Sequence, residues 1–170
     1  MSALEITISV IASFGATVGS AIVFNTSKYD IVRAGIVASF GWFVYLVIKN
    51  TSPSLAVAYF AGAFVVALLS EIFAVIFKNP ATVYLLPGLF PLVPGGGMFQ
   101  TMEAAVSGNM ENALSTGFST LTAAGAIAIG IAVASSMAKI LNRLAKERTL
   151  KRNQQKNTKI NKRFYIYREL

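Results

Sequence analysis

Residues 55–77 read LAVAYFAGAFVVALLSEIFAVIF, twenty-three in a row with a single charge. Such a run restricts the fold more than any motif. Roughly 20 apolar residues, rising about 1.5 Å each, cross the hydrocarbon of a bilayer as a helix. A second stretch, residues 6–24, also runs 19 residues without a charge. Only 13% of the chain is charged and its mean hydropathy is +0.61, where a soluble domain carries roughly 25% charge. The fold class expected is therefore all-α: a polytopic helical membrane protein of about five spans, at 6–24, 34–48, 55–77, 81–106 and 113–140. Arg33 and Lys49 flank the short second span and can snorkel outward. Trp42 and Tyr45 lie in its second half, as an interfacial belt would place them. No Lys or Arg precedes the first run, so MSALEITISV reads as a retained span and not a secretory leader.

The chain has neither cysteine nor histidine. Disulfides, thiolate metal sites, cysteine nucleophiles and histidine triads are thereby excluded. There is no GxxxxGK[ST] phosphate loop. No cofactor, metal or enzymatic activity is expected.

Net charge is +8, but residues 139–170 hold 11 of the 15 basic residues and two acids, leaving the other 138 residues at −1. The chain divides into a membrane domain, 1–140, and a basic cytoplasmic tail, 141–170. The tail should start as a helical extension with a Glu147–Lys151 pair and read as disordered after Arg152. Its role is to hold anionic lipid headgroups; nothing selects nucleic acid. Positive charge then orients the body. With five crossings and the tail inside, Lys28, Arg33 and Lys78 lie inside and only Lys49 outside. The N-terminus is outside. If 81–106 re-entered instead, those charges would exchange sides.

Three spans carry faces of small residues: Ala12, Gly15, Ala16, Gly19 and Ser20 in the first, Ala63, Ala67, Ser70 and Ala74 in the third, and Thr122, Ala126, Gly130, Ala134 and Ala138 in the fifth. Small residues let helices approach closely in lipid, either within the chain or against a partner or a second copy.

Glu71 is the only charge well inside a span, about 9 Å from the helix end. It should face the bundle interior or a wet cavity. There it could mediate proton coupling, or pair with Lys78 two turns along; Ser70 beside it reads more as packing.

PGLFPLVPGGG, residues 87–97, packs three prolines and four glycines into eleven residues with only apolar residues between. Pro87, Pro91 and Pro94 each remove a backbone donor, and Gly95, Gly96 and Gly97 follow. Irregular backbone at membrane depth is tolerated only where it is buried or lines a cavity. A broken helix of this kind builds transporter sites, with a half-helix N-terminus for anionic groups. The expected second half, Met98–Val106, carries Gln100 and Thr101 in its first turn, a cradle for a carboxylate.

KNPATVYLLPGLFPLVPGGGMFQTM (78–102), with SE at 70–71 and VFN at 23–25, resembles the threonine/serine exporter family, specifically the small subunit of its split, two-component form. The resemblance covers most of residues 1–138. It rests on Asn79, Pro80, Pro87, Gly88, Pro91, Pro94, Gly95 and Thr101, and more weakly on Asn25. It implies a multi-pass cell-membrane component exporting small amino acids on a proton or ion gradient, beside a larger membrane subunit. The rival expectation is a non-transporting scaffold that stabilises a partner membrane protein.

Overall fold

The computed structural model describes the backbone of residues 3–168 and the side chains of residues 4–141. The described residues form six helices and no strands: α1 Ala3–Val23, α2 Lys28–Thr51, α3 Leu55–Phe77, α4 Thr82–Leu89, α5 Gly95–Val106 and α6 Met110–Arg168. One 3-10 turn, Phe90–Leu92, follows α4. The chain falls into two compact units, Met1–Ser135 and Ser136–Leu170. Four helices are long and apolar enough to span a membrane. The bent pair Thr82–Leu92 and Gly95–Val106, at 48° to each other, makes a fifth if it is one span.

The second span is longer than expected. It starts at Lys28 and not at residue 34, so Asp30 and Arg33 belong to its first two turns. α6 also departs from expectation, running helical to Arg168 where disorder was expected after Arg152. No Pro or Gly follows Gly130, and Lys, Arg, Gln and Leu are all strong helix formers. The Glu147–Lys151 pair and the lipid-facing tail residues lie outside the described side chains.

α2 packs against α1, α3 and α4, and the core cluster of Val37, Tyr45, Leu46, Ala58, Val66 and Leu92 lies among them. Glycine sets the α2–α3 crossing. A Cβ at Gly62 would stand 3.0 Å from the Tyr45 Cβ and 3.1 Å from the Gly41 carbonyl oxygen. Trp42 and Tyr45, expected at an interface, pack on one another within the bundle. Tyr45 is buried, and its ring lies 4.9 Å from that of Trp42 and 4.8 Å from that of Tyr59.

The small-residue faces divide by use. Ala63, Ala67 and Ser70 of α3 are buried within the chain. So are Gly130, Ala134 and Ala138 of α6, and a Cβ at Gly130 would come within 2.7 Å of the Phe60 carbonyl oxygen. α1 does the reverse. Its buried side is Ala21 with Ser13, Thr17 and Ser20, whose three hydroxyls donate to carbonyls one turn back in the same helix. Gly15 and Gly19 have no neighbour within 4 Å of the Cβ position. Their face is open.

Candidate functional site

Two turns at one end of the bundle build the site. α1 closes in a Schellman motif: Thr26 N–H donates to the Ala21 carbonyl and Asn25 N–H to the Ile22 carbonyl, both at 3.0 Å. The motif puts Asn25 in the left-handed region at φ 54°, which asparagine tolerates better than most residues. α3 also ends left-handed, on Lys78 at φ 57°, where a lysine stores about 1–2 kcal/mol of strain. Asn79 follows, and α4 begins after it.

Between these turns lies Asp30, in the first turn of α2 and 5% exposed. Its Oδ1 accepts from Arg33 Nη1 at 2.7 Å and from the Tyr84 hydroxyl at 2.8 Å. Its Oδ2 accepts from Asn79 Nδ2 at 2.9 Å. The same amide donates to Tyr84 Oη at 3.1 Å. The Arg33 guanidinium stacks 3.5 Å from the centroid of Phe77, and Phe73 packs edge-on against the fully buried Tyr84. A carboxylate taken out of water is costly unless charge and hydrogen bonds replace its hydration. Here one cation and two neutral donors do so, and the N-terminal end of α2 adds a favourable dipole. The cluster joins α2, the α3–α4 turn and α4.

A cavity of about 390 Å³ opens beside it, within the size range of ligand pockets. Its polar lining is Asn25, Thr26, Ser27, Asp30, Asn79 and Thr82; Phe24, Val83, Leu86 and Pro87 form the apolar wall. Three residues expected at a site, Asn25, Asn79 and Pro87, are thus brought together. Pro80 takes a different part, its carbonyl accepting from Val83 N–H at 3.1 Å to open α4.

The Pro/Gly stretch breaks in its own way. α4 continues helical through the buried Pro87. The Phe90 N–H reaches the Pro87 carbonyl, replacing the donor that Pro91 lacks. The path turns at Val93 and Pro94, the latter capping α5 at ψ 53°. Gly95, Gly96 and Gly97 are therefore the first turn of α5 and not the break. Gln100 and Thr101 consequently fall in the second turn. Thr101 gives its hydroxyl to the Gly97 carbonyl at 2.7 Å, and that proton is unavailable to a ligand in this arrangement. Gln100 lines a second cavity of about 440 Å³ with Glu103, Ser107, Asn109 and Asn112, at the α5–α6 turn. Gly95 and Gly96 are open, whereas Gly97 is packed on Thr120. Gly88 serves packing: a Cβ there would stand 3.2 Å from Val66 Cγ1.

Glu71 is half-buried on α3. It makes no ion pair with Lys78, whereas Asp30 pairs with Arg33. Ser70 is fully buried with its hydroxyl on the Val66 carbonyl at 2.8 Å, which makes it a packing residue.

Sequence reasoning missed Asp30, Arg33 and Tyr84. One signal was present. Ser27-Lys28-Tyr29-Asp30 before an apolar run is an S-x-x-D helix start, which would have drawn Asp30 into the span. Its carboxylate then had to find buried partners.

An apolar helical bundle with a proline-broken helix pair, and a buried charged cluster lining a cavity next to it, has the make-up of a membrane transporter component. The family model described as Threonine/Serine exporter, ThrE, matches residues 9–137, and the chain belongs to that family. No curated protein and no solved structure matches it.

Proposed function

We propose that this chain is the small subunit of a two-component secondary exporter. It moves threonine- or serine-like amino acids, or related small carboxylates, out across the cytoplasmic membrane on a proton or ion gradient. The observation that carries the reading is the 48° break between α4 and α5, lying inside the family match. Discontinuous helices expose backbone groups that bind and release polar solutes in lipid. The solute's carboxylate passes the open N-terminus of α5 at Gly95 and Gly96, with Pro87, Pro91 and Pro94 keeping the path irregular. Lys28, Arg33 and Lys78 share one end of the bundle, which the positive-inside rule makes cytoplasmic; the N-terminus is then outside. Glu71, half-buried without an ion-pair partner among the described residues, takes up and releases the coupling proton.

Efflux of radiolabelled threonine from preloaded cells, expressing the chain with a larger subunit, tests this. Glu71→Gln at matched membrane abundance is expected to lower efflux at least about tenfold, on the scale of one lost charge interaction, and a protonophore to stop wild-type efflux. Efflux indifferent to both would remove Glu71 and the proton from the mechanism.

The open face of α1 is where the larger subunit, or a second copy, packs. Gly15→Leu with Gly19→Leu should leave the melting temperature of the isolated chain unchanged, since nothing lies within 4 Å of either site. Co-purification of the larger subunit should fall. Undiminished co-purification would make this face a lipid surface.

A further inference from the structure

We propose that the cavity beside Asp30 is a loading site for a small organic ammonium, so that the solute is selected as an amine as well as a carboxylate. This rests on the exporter reading and adds where, and by which group, the solute is first held.

The cluster leaves accepting positions unused. An ionised carboxylate offers about four lone-pair positions. Arg33 and Tyr84 take two on Oδ1, and Asn79 takes one on Oδ2. One position on Oδ2 is left, and Asp30 lines the cavity. Asn79 spends its amide N–H groups on Asp30 and Tyr84; its carbonyl oxygen can only accept, and Asn79 lines the same cavity. Two side chains with accepting capacity left over therefore border one space, and one of them carries charge. A carboxylate would meet the like charge of Asp30; an ammonium brings three donors.

The neighbouring groups bear on the sign. Arg33 neutralises Asp30 from within the cluster and stacks on Phe77, while remaining off the cavity lining. The guanidinium is thus not aimed at the space; the N-terminal end of α2 borders it with a partial positive charge, smaller than the full charge of the carboxylate. The charged bond between ammonium and carboxylate is about twice as strong as a neutral one, so it sets the preferred ligand charge over Asn25, Thr26, Ser27 and Thr82, whose neutral groups can donate or accept. The cavity also lies at the end that carries Lys28, Arg33 and Lys78, the cytoplasmic end in the proposed orientation, from which an exporter must load.

The test is binding of radiolabelled L-threonine to the purified full chain in lipid nanodiscs. Threoninol, which keeps the ammonium and lacks the carboxylate, should displace it. 3-Hydroxybutyrate, which keeps the carboxylate and lacks the ammonium, should not. Asp30→Asn and, separately, Leu86→Trp, which fills the cavity from its half-exposed wall, should each weaken binding about tenfold or more, the worth of one charge-assisted hydrogen bond. If Asp30→Asn does not fold, Leu86→Trp decides alone. Displacement by 3-hydroxybutyrate but not by threoninol would overturn the proposal. So would wild-type affinity in folded Leu86→Trp, or no threonine binding at all. Displacement by sodium at constant ionic strength would assign the acceptors to a metal cation and equally overturn it. Cellular efflux separates the two readings: efflux that survives Leu86→Trp sinks the loading site alone. Threoninol-sensitive binding in a chain that supports no efflux sinks the exporter reading alone.

Discussion

Leucine at Gly41 is expected to leave almost no folded protein in the membrane. Even the first carbon of a side chain at this position would overlap the Val66 Cγ2 methyl and lie 3.2 Å from the Gly62 carbonyl oxygen. Backbone cannot yield as the tip of a flexible side chain can. Overpacking a tight core costs about 1–3 kcal/mol for a few methylenes, and leucine adds four carbons where none fits. Apolar burial cannot compensate, because lipid tails are as apolar as leucine and close packing is what holds membrane helices together. The crossing also supports α4, since Gly88 lies against Val66 and Val37. Separating α2 from α3 therefore disturbs the path into the broken pair as well. The measurement is the monodisperse fraction and melting temperature after detergent extraction. Gly95→Ala, with nothing within 4 Å, serves as control and should melt as wild type. A Gly41→Leu protein that did the same would show that the crossing is looser than described.

The spans were legible because the bilayer forces a length on any helix that crosses it. Residues 55–77 were placed to the residue for that reason. The start of α2 was not, because charge near an apolar run reads as the end of a span. The partners that make a buried carboxylate tolerable, Asn79 and Tyr84, lie 49 and 54 residues away. No local pattern displays such a pairing. The Pro/Gly stretch was legible as a break but not in its phase. Three glycines look like the weakest point, yet a glycine can begin a helix without strain, and it is Pro94, with no N–H to continue the ladder, that stands as the cap. The small-residue faces were visible as stripes, but a stripe does not name its neighbour. α3 spends its stripe inside the chain and α1 leaves its GxxxG pair open. Gly41 and Gly62, which control the α2–α3 crossing, sit on shorter small-residue rows, with Ala34 and Ala38 in α2 and Ala58 in α3. The tail was misread for a related reason: polarity argues against a packed core but not against a helix.

Removing the Tyr84 hydroxyl is expected to destabilise the protein by about 1–3 kcal/mol, the usual cost of leaving a buried polar group short of a partner. Tyr84→Phe keeps the ring and its contacts with Phe73 and Phe77, so the loss reports the two bonds of the hydroxyl, to Asp30 and from Asn79. Asp30→Asn should cost more, because it weakens the pairing with Arg33 and disturbs the bonds from Tyr84 and Asn79 together. The informative quantity is their combination. If Tyr84 acts on stability through Asp30, the double variant loses clearly less than the sum of the singles, as residues sharing one network do. Unfolding in mild detergent with increasing denaturant would give all three values. Strict additivity would mean that Tyr84 stabilises α4 by some other contact. The distinction matters for transport. A coupled Asp30–Tyr84–Asn79 unit ties α2 to both ends of the α3–α4 turn. A ligand that draws on the remaining lone pair of Asp30 then acts on the same carboxylate that holds α4, and α4 leads directly into the break at Pro94.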